Sequence, residues 1–350
     1  MSTLRTTAFQ LASLALFIGS ATQAMAEDIT FVSQGGAYQE AQSKAILEPA
    51  AKKLGLTLKQ DSSPKAYPII KTQVESGKVT WDVVDLPTGD CIRGEAEGLF
   101  EKLDLALIPN AAQIPDSLKD EYSVGYISYS TVLAYRTDAF KGADVPKTWA
   151  DFWDTRKFAG KRGMRKGARY NLEFALMADG VPSKDVYKVL GTPAGAERAF
   201  KKMTELKPSI QWWEAGAQPP QFLVAGDVVM TTAYNGRIDA AQREGKNLQI
   251  SWTGGIYDLD YWVIPKGTPN KDLAMKFIAS ASQPAAQAEY AKLISYGPTN
   301  NKALGSLDAK TLALLPTSPA NAKDALKFDI TFWADQGEAL EKRFAAWAAQ

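Results

Sequence analysis

From residue 27 onward, short apolar runs of strand character alternate with stretches of helical spacing, and this alternation constrains the fold more than any other feature. Ile29-Thr30-Phe31-Val32 reads as a strand, and Gly35-Gly36 leads into a helical stretch from about Tyr38 to Leu54. Leu56-Thr57-Leu58, a helix over Tyr67 to Ser76, the strand Trp81 to Leu86 and a helix over Cys91 to Phe100 follow. Strand, helix, strand, helix, strand is the pattern of an α/β layer with a mainly parallel sheet. The pattern resumes with Tyr129 to Tyr135, helices over Asn171 to Ala178, Gly195 to Leu206 and Pro220 to Ala225, and the strand Val228 to Thr232. Thr148 suits the N-cap of a helix whose Trp149 and Trp153, four apart, belong to the core. Asp329 to Ala349 reads as a closing amphipathic helix. With 350 residues, the chain is long enough for two domains of ordinary size.

Residues 1–26 are of another kind. Arg5 is a positive n-region, Leu11 to Ile18 an apolar h-region, and Ala24-Met25-Ala26 a small-x-small cleavage site. This reads as a secretory signal peptide cut after Ala26, giving a periplasmic protein. The apolar core is about half the roughly 20 residues that a spanning helix needs. Arg5 is the leader's one basic residue, so the remaining chain sets 39 basic against 39 acidic residues. A balanced chain carries no signal for nucleic acid or an anionic membrane. Cys91 is the single cysteine and histidine is absent. Ser-His-Asp and Cys-His catalysis are therefore excluded, and the commonest ligand of transition metals is missing. The expectation is a binder rather than an enzyme, with no cofactor and no bound metal.

The stretch Gly254 to Gly267, GGIYDLDYWVIPKG, places two carboxylates among aromatics. Asp258 and Asp260 are two apart, so on a strand they share one face. That spacing suits an acid/base pair, a cation site or a solvent-facing edge. An acid/base pair fits poorly, because both groups would lie on one side of any substrate, whereas glycosidase carboxylates flank the bond.

The chain resembles the periplasmic solute-binding proteins of ABC importers, most of all the spermidine/putrescine-binding type. The resemblance rests on Trp81-Asp82-Val83-Val84, Leu133-Ala134-Tyr135-Arg136-Thr137-Asp138 and Thr148 through Asp154. Phe158-Ala159-Gly160-Lys161-Arg162, Tyr234-Asn235-Gly236, Asp260 through Gly267 and Tyr296 through Lys302 continue it in order. It implies two α/β lobes with strands crossing between them. One lobe would hold 27–131 and 256–299, the other 135–252 and 303–350. A small-molecule ligand would bind in the cleft, closure would bury it, and a membrane permease would be the partner of an expected monomer.

The resemblance also implies site residues. Asp260 holds the position of the acid that pairs with a ligand amine; otherwise it caps a turn or pairs with a lysine. Asp258 stands where the polyamine binders carry Trp, either as a second amine contact or on the rim. Tyr234, before Asn235, replaces another cleft Trp. Where those binders place acids, this chain reads Arg165-Lys166-Gly167-Ala168-Arg169-Tyr170. Lys166 and Arg169 would repel a second ammonium and accept a carboxylate or phosphonate, with Tyr170 a further contact, if the loop does not face solvent. Gln34, Gly35, Gly36 and Tyr38 lie between strand and helix, where a ligand can approach the backbone. Thr88 holds the corresponding place after the third strand, and Tyr296 adds a further cleft position. The expected ligand is a small amine-bearing zwitterion, an amino-acid derivative or an opine. A polyamine, a ferric ion or an aminophosphonate are the alternatives.

Overall fold

The structure, a computed structural model, describes residues 27–140, 142 and 144–350. The leader read in residues 1–26 lies outside them. Ten strands form one sheet: β1 Asp28–Ser33, β2 Thr57–Ser62, β3 Val83–Pro87, β4 Val124–Arg136, β5 Arg162–Arg165, β6 Ile210–Trp213, β7 Met230–Tyr234, β8 Leu248–Val263, β9 Gly297–Pro298 and β10 Leu326–Lys327. The order is β2-β1-β3-β8-β4-β7-β5-β6, with β10 beside β8 and β9 beside β4. The two ends are parallel as the alternation requires: β1 with β2 and β3, and β5 with β6 and β7. The middle is antiparallel, because β8 runs against β3 and β4, and β4 against β7; only the short β10 lies parallel to β8. The sheet is therefore mixed.

β4 and β8 are 13 and 16 residues long, well beyond the ~5–6 residues usual for a strand. Their pairing slips between Thr131 and Leu133, where the β8 partners jump from Ile256 to Ser251. On one side of the slip, Tyr126, Tyr129 and Trp262 join a core with Phe31, Ile46 and Phe277. On the other, Leu133 and Tyr135 join a core with Phe152, Phe174, Met203 and Phe344. Trp149 and Trp153 lie in this second core, as their spacing predicts. Alternation along β8 is clean: Leu259, Tyr261 and Val263 pack into one cluster, while Trp262 and Ile264 pack into another. Ala303 and Leu307 pack with Ala288 and Ala291 of helix Pro284–Leu293.

The helix expected from Tyr38 begins at Gly36 and continues through a π-helical segment, Ser43–Leu47, to Leu54. Thr148 caps helix Trp149–Trp153 reciprocally with Asp151. Strands β5 and β6 went unanticipated. Each is four residues long, and their Gly and Trp-Trp content masks the alternation.

Candidate functional site

A cavity of about 240 Å³ opens where β1, β3, β5 and β7 end. Strand ends of an open α/β sheet are where ligands bind, because the following loops and helix N-termini present free donors there. Gln34 and Tyr38 line it after β1, Pro87 and Asp90 after β3, Arg165, Arg169 and Tyr170 after β5, and Tyr234 and Arg237 after β7. Tyr129 enters from β4, Asp260 from β8, and Tyr296 and Glu341 from the C-terminal part.

Asp260 is buried, and Oδ2 accepts from the Tyr38 hydroxyl at 2.7 Å. Among the described residues no side chain donates to its Oδ1, which leaves that oxygen for a ligand cation. Burial, with Asp85 next, pushes the Asp260 carboxyl well above the usual carboxylate range. Asp258 does share a face with Asp260, but it is neither on the rim nor on the cavity wall. Its oxygens accept from Thr88 Oγ1 at 2.6 Å, Tyr170 OH at 2.9 Å, Tyr129 OH at 3.2 Å and the Leu259 N–H at 2.8 Å. Four donors satisfy the carboxylate, so it fixes the tyrosines rather than waiting for a ligand. Tyr170 pays for that position in its backbone: φ is +70°, the one positive value outside glycine among the described residues.

The basic loop divides. Arg165 and Arg169 line the cavity, and neither is ion-paired with a carboxylate among the described residues. Arg169 lies over the rings of Phe328 and Trp333, 5.5 and 6.0 Å from their centroids. Burial works against its charge, but Asp90, Tyr170 and Asp258 outweigh it and hold the guanidinium above its ordinary range. Glu341 accepts from the Ala168 and Arg169 N–H groups and so fixes the loop backbone. Lys166, by contrast, is outside the cavity and pairs with Glu214 at 3.5 Å.

Gln34, Tyr38, Arg169, Tyr170, Tyr234, Asp260 and Tyr296 thus line one cavity. Thr88 and Asp258 form a layer behind them. Gly35 and Gly36 line a separate surface depression. The Asn235 amide is consumed by the backbone: Oδ1 accepts from Ser130 N–H and Nδ2 donates to Ser295 O. Sequence reasoning missed Arg237, Tyr129, Glu214 and Glu341. Arg237 Nη1 and Nη2 donate to Gly35 O and Gln34 O at 2.6 and 3.2 Å, with the guanidinium over the Tyr38 ring. Its place three residues after Tyr234, on the first turn of helix Asn235–Arg243, was the available signal.

A cleft with tyrosine walls, carboxylates and unpaired arginines, set at the strand ends of an α/β sheet, defines a small-molecule binding protein. A family model described as bacterial extracellular solute-binding protein matches residues 45–317, and the chain belongs to that family. It is 49% identical to a gamma-aminobutyric acid-binding protein of Pseudomonas aeruginosa over 97% of this chain and 96% of that one. Among solved structures, MotA of A. tumefaciens B6 in complex with glucopine is 33% identical, with a TM-score of 0.86 over 92% of this chain and 99% of that one. The structure of the Atu4243-GABA receptor is 36% identical, with a TM-score of 0.79 over 93% of this chain and 98% of that one. These relatives have the two-lobed periplasmic binding-protein fold, and this chain shares it.

Proposed function

We propose that the chain is the extracytoplasmic binding component of an ABC importer, capturing a short zwitterion with an amine at one end and a carboxylate at the other. A γ-amino acid such as 4-aminobutyrate is the ligand chemistry that fits best. One observation carries this reading. Asp260 and the unpaired Arg165 and Arg169 share a single cavity of about 240 Å³. Asp260 receives the ammonium. The arginines receive the carboxylate, for which a planar guanidinium is suited. A polyamine would set an ammonium against two arginines. The volume is below the ~300 Å³ at which drug-sized ligand pockets begin, which favours a short amino acid over a sugar-bearing opine. The names of the relatives support both halves of this reading.

The leader exports the chain to the periplasm, where the ligand-bound monomer delivers its solute to a membrane permease. The lobes divide at the β4–β8 register slip, near Thr131–Leu133 and Ser251–Ile256. Packing of Ala303 and Leu307 on helix Pro284–Leu293 supports keeping that segment with the first lobe, so the return crossing lies nearer β10.

Calorimetric titration of the mature protein tests the reading, with 4-aminobutyrate, glucopine, putrescine and 3-aminopropylphosphonate as probes. Tight binding of 4-aminobutyrate and none of putrescine is expected. Putrescine binding without 4-aminobutyrate binding would overturn it. Strong preference for the phosphonate would keep the geometry and change the acid.

A further inference from the structure

Behind Asp260 lies a second buried acid, Asp85 on β3, with no exposure at all. The two are joined by an unbroken hydrogen-bonded chain. Asp85 Oδ2 meets Ser33 Oγ at 2.9 Å, and Ser33 Oγ meets Gln42 Oε1 at 2.5 Å. Gln42 Nε2 meets Tyr126 OH at 2.5 Å, Tyr126 OH meets Tyr38 OH, and Tyr38 OH meets Asp260 Oδ2 at 2.7 Å.

A proton count along this chain is restrictive. Ser33 has one hydroxyl proton but faces two acceptors, Asp85 Oδ2 and Gln42 Oε1. Tyr38 likewise has one proton for Tyr126 and Asp260. If Asp260 is ionised, Tyr38 donates to it, Tyr126 donates to Tyr38, and Gln42 Nε2 donates to Tyr126. Gln42 Oε1 then needs the Ser33 proton, and Ser33 must in turn accept from Asp85. Every link is satisfied only if Asp85 carries a proton. Turning the Gln42 amide over reverses these links and moves the proton to Asp260, at the cost of the direct Gln42 Nε2–H donation to Asp85 Oδ2 at 3.3 Å. Either way the two acids hold at least one proton between them. The other Asp85 oxygen, Oδ1, is buried without a partner, a smaller cost for a neutral acid than for a carboxylate.

We propose that Asp85 stores the proton that leaves Asp260 when a ligand ammonium arrives, so that the ligand's charge is met by an internal transfer along Ser33, Gln42, Tyr126 and Tyr38. This rests on the amine site assigned above. The transfer balances: the proton leaves Asp260 and an equivalent one arrives on Asp85, each hydroxyl between them gives up one proton and receives another, and at Gln42 an O–H bond forms as an N–H bond breaks, the amide being restored when the side chain turns over and that proton returns to nitrogen. The surroundings fit a shared proton. Tyr38, Tyr126 and Tyr290 are held protonated, since burial pushes all three phenols well up and the nearby acids add to it. Cys91, from helix Thr88–Ala96, is likewise pushed up by burial. Arg237 is the cation facing Asp260, and Asp258 adds negative charge. Burial raises both Asp85 and Asp260, and their mutual repulsion opposes a doubly ionised pair.

The test is carbon-13 NMR of the full mature protein labelled at its aspartate carboxyls, titrated over about pH 5 to 9, without ligand and with 4-aminobutyrate. In the ligand-free protein, one carboxyl of the pair stays protonated at neutral pH. With 4-aminobutyrate, that resonance is the one missing from Asp85→Asn. The carboxamide donates to Ser33 as the acid does, so Asp85→Asn keeps affinity within about threefold, whereas Asp85→Ala loses about tenfold. Two ionised carboxyls at neutral pH, a ligand-bound proton on Asp260, or an Asn variant as weak as the Ala variant each overturns the proposal. If 4-aminobutyrate does not bind at all, the amine-site reading fails, and the ligand-free proton count still decides whether the pair shares a proton.

Discussion

The guanidinium of Arg169 lies against Gly89 so closely that a Cβ on Gly89 would sit 2.9 Å from Nη2 and 3.0 Å from Nη1. Gly89 is on the first turn of helix Thr88–Ala96, whereas Arg169 is on the loop after β5. The contact therefore bridges the two parallel ends of the sheet across the cavity. The atom in the way is the tip of a flexible side chain, so Gly89→Ala displaces the guanidinium rather than the fold. Affinity for 4-aminobutyrate is expected to fall about tenfold, ~1.4 kcal/mol, with Tm little changed. Calorimetry and a melting curve on the same sample check this; a variant that loses Tm and affinity together would place Gly89 in the core.

Asp260→Asn keeps the shape and the Tyr38 contact but removes the charge. Truncating one partner of a buried charge pair costs ~2–5 kcal/mol. The expected loss for 4-aminobutyrate is therefore about thirtyfold or more. A neutral ligand that keeps the carboxylate, butyrate, should be affected far less. Equal losses for the two ligands would show that Asp260 acts on cavity shape and not on the amine.

Arg237 ties helix Asn235–Arg243 to the end of β1 through Gly35 O and Gln34 O. Gly36 lies under it, with φ +57° and a Cβ position 2.9 Å from Nη1. Only glycine holds that backbone without strain beside the guanidinium. Arg237→Met removes both bonds and keeps most of the stem. It is expected to open the cleft, weakening ligand binding and increasing the radius of gyration in X-ray scattering at saturating ligand. No change in radius would show that the contact follows closure without holding it.

Much of this was legible in the sequence, because the alternation of runs fixes an α/β layer and strand ends collect the site. Tyr38, Arg169, Tyr234, Asp260 and Tyr296 follow from that logic with the family's motif positions. What was not legible has a common cause: a side chain's direction is decided by partners distant in the chain. Lys166 and Arg169 sit three apart in one loop, yet Glu214 draws Lys166 out while Phe328 and Trp333 seat Arg169 within. Asn235 looked like a cleft residue until Ser130 and Ser295 took its amide. Asp85 hid in a strand that reads as plain core, since nothing local shows that Ser33 and Gln42 meet it.

Glu173 gives a pH-dependent stability that no ligand site explains. It is fully buried on helix Asn171–Ala178; Oε1 accepts from Trp333 Nε1 at 2.6 Å and Tyr187 OH at 3.2 Å, and Oε2 has no partner. Burial pushes its carboxyl up to about 7, against hydrogen bonds that pull the other way. The folded state thus binds a proton that the unfolded chain releases near its ordinary value of about 4.3. By linkage, this contribution is fully present below about pH 4.3 and declines as pH rises, until Glu173 ionises in the fold near pH 7. The shift corresponds to roughly 3–4 kcal/mol lost across that window. Glu173→Gln keeps an acceptor for Trp333 and has no proton to lose. Its Tm is therefore expected to exceed that of the wild type at pH 8 and to approach or fall below it near pH 5. Melting curves at both values check this, and a constant difference between the two proteins would show that Glu173 does not titrate within the fold.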